Sequence, residues 1–237
     1  MQEKLLGIDI GGSKIIIILY QGKKILKKWR ENGASLESLK RGLFLFPKLK
    51  AGIALPGIVD VKKRKILKCS NLPFLEGLDL KKELKRDFIL ENDAKCFVLA
   101  ERKFGALKGK KNGLGIIFGT GIGGAFVCNR ELYFGSHFSA GEFGQIILNE
   151  GKTWEKLYQE RKDQKIVNTF GIANLINIFD PEIVVLAGGG GKDFDKELLK
   201  KFILSPLTKK EVKVVPSSLG EEVVSLGASL LFNLKFS

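Results

Sequence analysis

The strongest constraint in this sequence is a small glycine turn that occurs twice, each time between two short apolar runs. The later copy, Gly119-Thr120-Gly121-Ile122-Gly123-Gly124, lies between Leu114–Phe118 and Ala125–Cys128. Four glycines in six residues let the backbone turn tightly and present its N–H groups with no Cβ in the way. A concave run of such donors accepts an anion, most often phosphate. One turn of this kind is weak evidence, since hairpins also use glycine for conformation alone. The earlier copy gives it weight: Leu5–Ile10, then Gly11-Gly12-Ser13-Lys14, then Ile15–Tyr20. Both copies continue through a short turn (Gln21-Gly22-Lys23, then Asn129-Arg130) into a third apolar stretch, Ile25–Trp29 and Leu132–Phe134. The expectation is two related lobes, residues 1–108 and 109–237, divided near the basic stretch Lys108–Asn112, with both turns facing one nucleotide.

The first turn is not a Walker A loop. That motif needs Gly-Lys-Ser/Thr opening a helix, whereas Ser13-Lys14 runs into Ile15–Tyr20, a β-branched strand pattern. Asp9 ends the strand before the turn. A carboxylate there either forms the turn or partners a hydrated magnesium beside phosphates; its apolar flanks make an unpaired charge costly and favour the second role.

Composition narrows the field. The 237 residues include 44% apolar side chains, enough for a substantial core. No apolar run approaches the ~20 residues that span a bilayer, and no signal-peptide pattern precedes the first strand, so a cytoplasmic protein is expected. Cys69, Cys96 and Cys128 are scattered and read as reduced, buried thiols; with the single His137 they offer no zinc spacing. The net charge of +14 is carried mainly by lysines spread over turns and helix faces, such as Lys62–Lys65 and Lys81-Lys82. They are not interleaved with aromatics, so a solvated surface is expected rather than a nucleic-acid site.

Along the chain, Ser35 caps a helix predicted to Phe46 and stopped by Pro47. Ala51–Leu55 reads as a buried strand, Lys62–Lys65 as a solvated turn, and Leu78–Arg86 as a short helix. A strand over Phe88–Leu90 delivers Glu91-Asn92-Asp93 at its carboxyl end, before a helix over Ala94–Phe104. Carboxyl ends of strands are where open α/β sheets place ligands, so Asn92 and Asp93 are candidates to hold a substrate hydroxyl. Helix capping accounts for them equally well. Further on, Ser139–Gln145 is a small-residue loop with Glu142 and Gln145, and Thr153–Tyr158 starts a helix with Glu155 in its first turn. Ile166–Phe179 is predicted as a long amphipathic helix. Ile183–Ala187 runs into Gly188-Gly189-Gly190-Gly191, with a helix over Asp193–Phe202 beginning at that turn, a place for ribose or phosphates. Val212–Val215 is the last strand and Gly220–Phe232 the closing helix.

These segments together resemble the ROK family (repressors, open reading frames, sugar kinases) of the actin-like ATPase superfamily, nearly end to end. Gly7–Lys14 is similar to its first phosphate loop and Phe118–Gly124 to its second. Pro56-Gly57-Ile58-Val59-Asp60 and Ser70-Asn71-Leu72-Pro73 look like its sugar loops, Leu90–Ala94 like its catalytic segment, Ala140–Gly144 like the sugar loop of the second lobe, and Ala187–Gly190 like its adenosine loop. The resemblance implies an α/β, two-lobed actin-like ATPase (ribonuclease H-like) fold, each lobe a βββαβαβα-type mixed sheet with flanking helices. It implies ATP- and Mg²⁺-dependent phosphorylation of a hexose or acylamino-hexose, usually at the 6-hydroxyl. Asp93 would be the general base, and Asp9 would hold hydrated Mg²⁺. Gly11, Gly12, Ser13, Lys14, Gly119, Thr120, Gly121, Gly188, Gly189 and Gly190 would surround the nucleotide, Thr120 donating near its γ-phosphate. Asn92, Glu142, Gln145, Glu155, Ser70, Asn71 and Gly57 would line the sugar. Gln145 stands where the family usually has His, and Asn149–Thr153 lacks the family's zinc-loop cysteines, so no zinc is expected. Sugar and ATP are the expected partners, and a homodimer is compatible. Two other readings stay open: a sugar-sensing regulator, which in this family carries an N-terminal helix-turn-helix not seen before the first strand, and a non-catalytic binding protein.

Overall fold

The computed structural model describes residues 3–22, 24–69 and 71–234. The chain divides into two compact units. In the first, β1 (Leu5–Ile10), β2 (Lys14–Gln21) and β3 (Lys24–Asn32) form an antiparallel meander. Helix α1 (Leu36–Phe44) follows, then β4 (Ala51–Leu55). Ser35 caps α1 through a reciprocal pair, Ser38 N–H donating to Ser35 Oγ at 3.0 Å and Ser35 N–H to Ser38 Oγ at 2.9 Å. A hairpin of β5 (Ile58–Asp60) and β6 (Lys65–Lys68) and the short helix α2 (Leu80–Leu84) lead to β7 (Phe88–Asn92). The sheet order is β3-β2-β1-β4-β7, with β1, β4 and β7 parallel. Helix α3 (Asp93–Phe104) follows β7 directly.

The second unit repeats this scheme. β8 (Gly113–Phe118), β9 (Ile122–Cys128) and β10 (Glu131–Leu132) form the meander, joined to parallel β13 and β14 in the order β10-β9-β8-β13-β14. Between them come a small hairpin, β11 (Ile147–Asn149) with β12 (Lys152–Thr153), then α4 (Trp154–Gln159) and α5 (Gln164–Phe179). β13 (Ile183–Gly188) is followed by α6 (Lys196–Phe202), α7 (Pro206–Glu211) and β14 (Lys213–Pro216). The closing helix, α8, is shorter than expected at Val223–Ala228.

Several sequence expectations change. The division does not fall at Lys108: it lies inside α3, between Ala100 and Glu101, and the segment from Leu219 onward, with Ser136–Ser139, belongs to the first unit. A side-chain tether accounts for the first shift and close backbone packing for the second. The Glu101 carboxylate accepts from Ser217 Oγ at 2.6 Å and from Ala106 N–H at 2.8 Å, tying the end of α3 to the second unit. α8 packs on β1 and β4 of the first. It does so against backbone, because a Cβ on Gly7 would fall 1.9 Å from the Ser225 carbonyl oxygen and one on Gly52 1.8 Å from that of Ala228. α5 carries apolar residues all round, burying Ile172, Leu175 and Ile176 while exposing Ile166 and Ile178, so it is not amphipathic. The third strand of the second meander is brief: Asn129 and Arg130 both take left-handed angles in a tight turn. Cys69 and Cys96 are buried as expected, but Cys128 is exposed.

Because Gly52 leaves no room for a side chain, Gly52→Ala should lower unfolding stability by about 2–3 kcal/mol. Gly119→Ala, whose Cβ would meet nothing within 4 Å, should change it by less than about 0.5 kcal/mol. Urea denaturation of the two variants beside wild type tests the pair.

Candidate active site

In the first unit the candidate residues gather at the carboxyl ends of three neighbouring parallel strands. The turn Gly11–Ser13 follows β1, Pro56-Gly57 follows β4, and Asn92-Asp93 ends β7 and opens α3. This is the ligand-bearing edge of such a sheet. Gly11 N–H donates to Lys14 O at 2.9 Å, closing the turn and leaving Gly12 and Ser13 exposed at the bend. None of the glycines in either of these turns, Gly11–Gly12 and Gly119–Gly124, takes a left-handed angle. Their absent side chains serve close approach and open access rather than unusual torsions.

Asp9 is buried at 8% exposure, paired in register with Ile16 and Ala54 on either side. Burial first, and then the negative charge of Asp93, push its carboxyl up to about 7, against the pull of Lys14. Asp9 and Asp93 therefore share one electrostatic neighbourhood beside the first turn. Ala94 N–H donates to Asp93 Oδ1 at 2.8 Å. Asn92 caps the helix, accepting from Ala94 N–H at 2.9 Å and Lys95 N–H at 3.3 Å, while its amide donates to Gly57 O at 3.2 Å. Capping is thus real for Asn92, and through the same side chain it fixes Gly57. A Cβ at Gly57 would lie 2.3 Å from Lys68 O, so the loop tolerates only glycine without moving.

Behind Asp93 lies a buried ion pair that the sequence pattern did not reveal. Lys95 Nζ stands 3.5 Å from Glu91 Oε1, both almost fully buried, and also donates to the Phe138 carbonyl. Burial raises the Glu91 carboxyl, and Lys95 opposes the shift. Only the i, i+4 spacing hinted at it. Lys14 is also not idle: it pairs with Glu221 at 3.2 Å, a carboxylate shared with Lys28 at 2.9 Å and Arg30 at 3.3 Å. Those bonds, Lys28's first, hold Glu221 down to about 2. Asn71 is exposed, and Ser70 lies outside the described residues.

In the second unit, two glycine segments sit together. β8 and β13 are parallel neighbours, so Gly119–Gly121 and Gly188–Gly190 emerge side by side at their carboxyl ends. Gly188 has φ +83°, and a Cβ there would fall 1.9 Å from Phe118 O. The helix expected to begin at the glycine run does not: a 3-10 turn, Gly189–Lys192, intervenes, and α6 starts later, capped by Asp195. Residues missed from the sequence hold the segment. Buried Asn168 accepts from Trp154 Nε1 at 3.0 Å and donates to Asp193 O at 3.0 Å.

Glu155 serves the second turn. Its Oε2 accepts from Ile122 N–H at 2.8 Å, Gln145 Nε2 donates to its Oε1 at 3.4 Å, and a Cβ on Gly121 would strike Oε2 at 2.0 Å. Gln159 donates to Thr120 O at 3.4 Å. Thr120, Glu142 and Gln145 are exposed, and Gly141, at φ +99°, brings its loop against Gly124 O. Among the described residues no helix is long and apolar enough to cross a membrane. No group of three or more His, Cys, Asp or Glu there could cage a metal.

The family model described as ROK family matches residues 5–165. The N-acetyl-D-glucosamine kinase of Photobacterium profundum is 30% identical, over 78% of this chain and 80% of that protein. The N-acetyl-D-glucosamine kinase of Haemophilus influenzae is 28% identical over 97% and 99%. Among solved structures, a ROK family glucokinase from Streptomyces griseus superposes with a TM-score of 0.82 at 19% identity, over 97% of this chain and 99% of that one. That likeness carries the fold, an actin-like ATPase architecture with two ribonuclease H-like sheets.

Because the folded chain holds the Asp9 proton more tightly than the unfolded chain does, this group's stabilising contribution is complete below its ordinary value of 3.8. It is lost as the pH rises through about 7. Asp9→Asn should therefore gain on wild type between pH 4 and pH 8 without nucleotide or metal, by no more than about 4 kcal/mol. Urea midpoints at the two pH values test this, and parallel behaviour of the two proteins would refute it.

Proposed function

The chain belongs to the ROK family, and from that premise we propose that it transfers the terminal phosphoryl group of ATP to a sugar, with Asp93 as the general base. The observation that carries the reading is the Asp9–Asp93 neighbourhood beside the first glycine turn, at the edge where β1, β4 and β7 end. Phosphoryl transfer asks a protein mainly for position and for charge neutralisation. Asp93 would accept the proton of the acceptor hydroxyl as the bond to phosphorus forms. Its place in the first turn of α3, with Ala94 N–H on one oxygen, holds that oxygen still.

Asp9 fits a hydrated cation. A buried carboxylate crowded by a second negative charge is relieved by a nearby positive ion, and Mg²⁺ commonly binds through one or two carboxylates, its own waters and substrate phosphates. When bound, the metal would neutralise charge on the transferring phosphoryl group. The turns Gly11–Lys14, Gly119–Gly121 and Gly188–Gly190 would serve the nucleotide, with Thr120 donating from the second. Lys14, already shared with Glu221, would act through the field it sets rather than as a free phosphate ligand.

The sugar would meet Asn92, Gly57, Glu142, Gln145 and Glu155, with Asn71 and Ser70 beyond. Glu155 already anchors Ile122 N–H, so its part is to fix the second turn while Oε1 and Gln145 face the polyol. A hexose or acylamino-hexose phosphorylated at its 6-hydroxyl suits this polar set, and the N-acetyl-D-glucosamine kinases among the relatives favour the acylamino form. A site built on hydrogen bonds rejects analogues lacking a hydroxyl. An ATP-using enzyme of this kind would work in the cytoplasm.

A coupled ADP-release assay over a hexose panel that includes N-acetylglucosamine tests the reading. Turnover of at least one sugar with Mg-ATP is expected, and none by well-folded protein would overturn it. Asp93→Asn should keep sugar affinity within a few-fold and lose about 10²–10⁴ in kcat. Near-normal turnover in that variant would place the base elsewhere.

A further inference from the structure

At the opposite end of β7 from Asp93, the first unit contains a cavity of about 1180 Å³ that none of the proposed chemistry uses. The strand between them is five residues long, about 17 Å. The cavity is lined on one side by apolar Leu75, Leu78 and Phe88, and seven of its other lining residues are cationic against two that are acidic. The acids are already engaged: Asp87 takes Arg64 at 2.5 Å, and Asp79 caps α2 through Lys81 N–H at 3.1 Å and Lys82 N–H at 3.2 Å. Lys48, Lys65, Lys81 and Lys85 join no ion pair among the described residues.

The decisive group is Arg86. Its Nε and Nη1 are both buried and have no hydrogen-bond partner among the described residues. A guanidinium stays charged at any ordinary pH, and leaving such donors buried and unmet costs free energy that a bound acceptor returns. Burial also lowers its proton affinity, as expected when no anion sits beside it. The planar fork of a guanidinium holds its N–H groups in a fixed geometry that matches the oxygens of a phosphate.

We propose that this cavity is a second anion site, in which Arg86 grips the phosphate of a small phosphate monoester and Leu75, Leu78 and Phe88 cover its body. An ester is favoured over bare phosphate because the cavity, at about 1180 Å³, is far larger than a phosphate needs and one wall is apolar. Lys63, Arg64 and Lys65 of the basic turn, which the sequence reads as solvated, then belong to a binding wall rather than to open solvent.

Calorimetric titration with glucose 6-phosphate and with inorganic phosphate, in chloride buffer of matched ionic strength, tests the site. Wild type should bind the ester, and bind it more tightly than phosphate. Arg86→Met should weaken ester binding at least about tenfold while leaving Mg-ADP binding unchanged and without loss of stability in anion-free buffer. Lys65→Gln with Lys85→Gln, both exposed and remote from the core, should weaken it about threefold and covers the case in which Arg86→Met misfolds. Unchanged ester affinity in both variants would overturn the site, and phosphate binding as tightly as the ester would overturn the assignment to an ester. The titration reads binding alone, so its result stands apart from any failure of sugar turnover.

Discussion

Two acid side chains that share a poorly hydrated corner repel each other, and the first unit is arranged around keeping them there. Asp9 sits inside the sheet between β2 and β4, where the pairing of both neighbours fixes its backbone. Asp93 is held by the first turn of α3, and Asn92 locks that turn by capping it and binding Gly57. Burial first, and then the charge of Asp93, keep the Asp9 proton to about pH 7, with only Lys14 opposing them. A buried carboxyl beside a second acid needs surroundings stiff enough to hold it, and such perturbed groups gather at functional sites.

The stiffness comes from packing without side chains. α8 lies on β1 and β4 because Gly7 and Gly52 let its carbonyls approach the sheet backbone, and Gly227 does the same for α8 against Cys96 O. A chain segment more than a hundred residues distant thereby closes the back of the sheet that carries Asp9. Lys95 completes the support from the other side, bonding Glu91 and the Phe138 carbonyl in one buried knot. The second unit uses different means for a similar end. Glu155 and Asn168 tether the two glycine segments to the helices beneath them, so neither segment depends on its own few contacts.

Much of this was legible in the sequence. The duplicated meanders, the hairpin nature of both glycine turns, and the placing of Asn92-Asp93 at a strand end all follow from local pattern, because strand period and turn chemistry act over a few residues. What pattern could not reach is the partner of each charged group. Glu221 meets Lys14 across 207 positions and Ser217 meets Glu101 across 116, and no periodicity encodes such pairs. The same blindness hid the return of the C-terminal segment to the first unit and led to a cut at Lys108. It also hid the bond that Glu155 accepts from Ile122 N–H in the second turn. Pattern also could not show what the missing Cβ atoms make room for: in the second glycine turn, Glu155 at Gly121 and Phe143 at Gly124.

The most direct measurement is an infrared or carbon-13 titration of the Asp9 carboxyl, assigned with Asp9→Asn, in the free protein and with Mg-ADP. Burial, with the charge of Asp93 beside it, predicts a midpoint near 7 in the free protein that falls toward the ordinary aspartate range when the cation arrives. A midpoint in the ordinary aspartate range in both states would mean that Asp9 is not held buried beside Asp93, and the account built on that corner would fail.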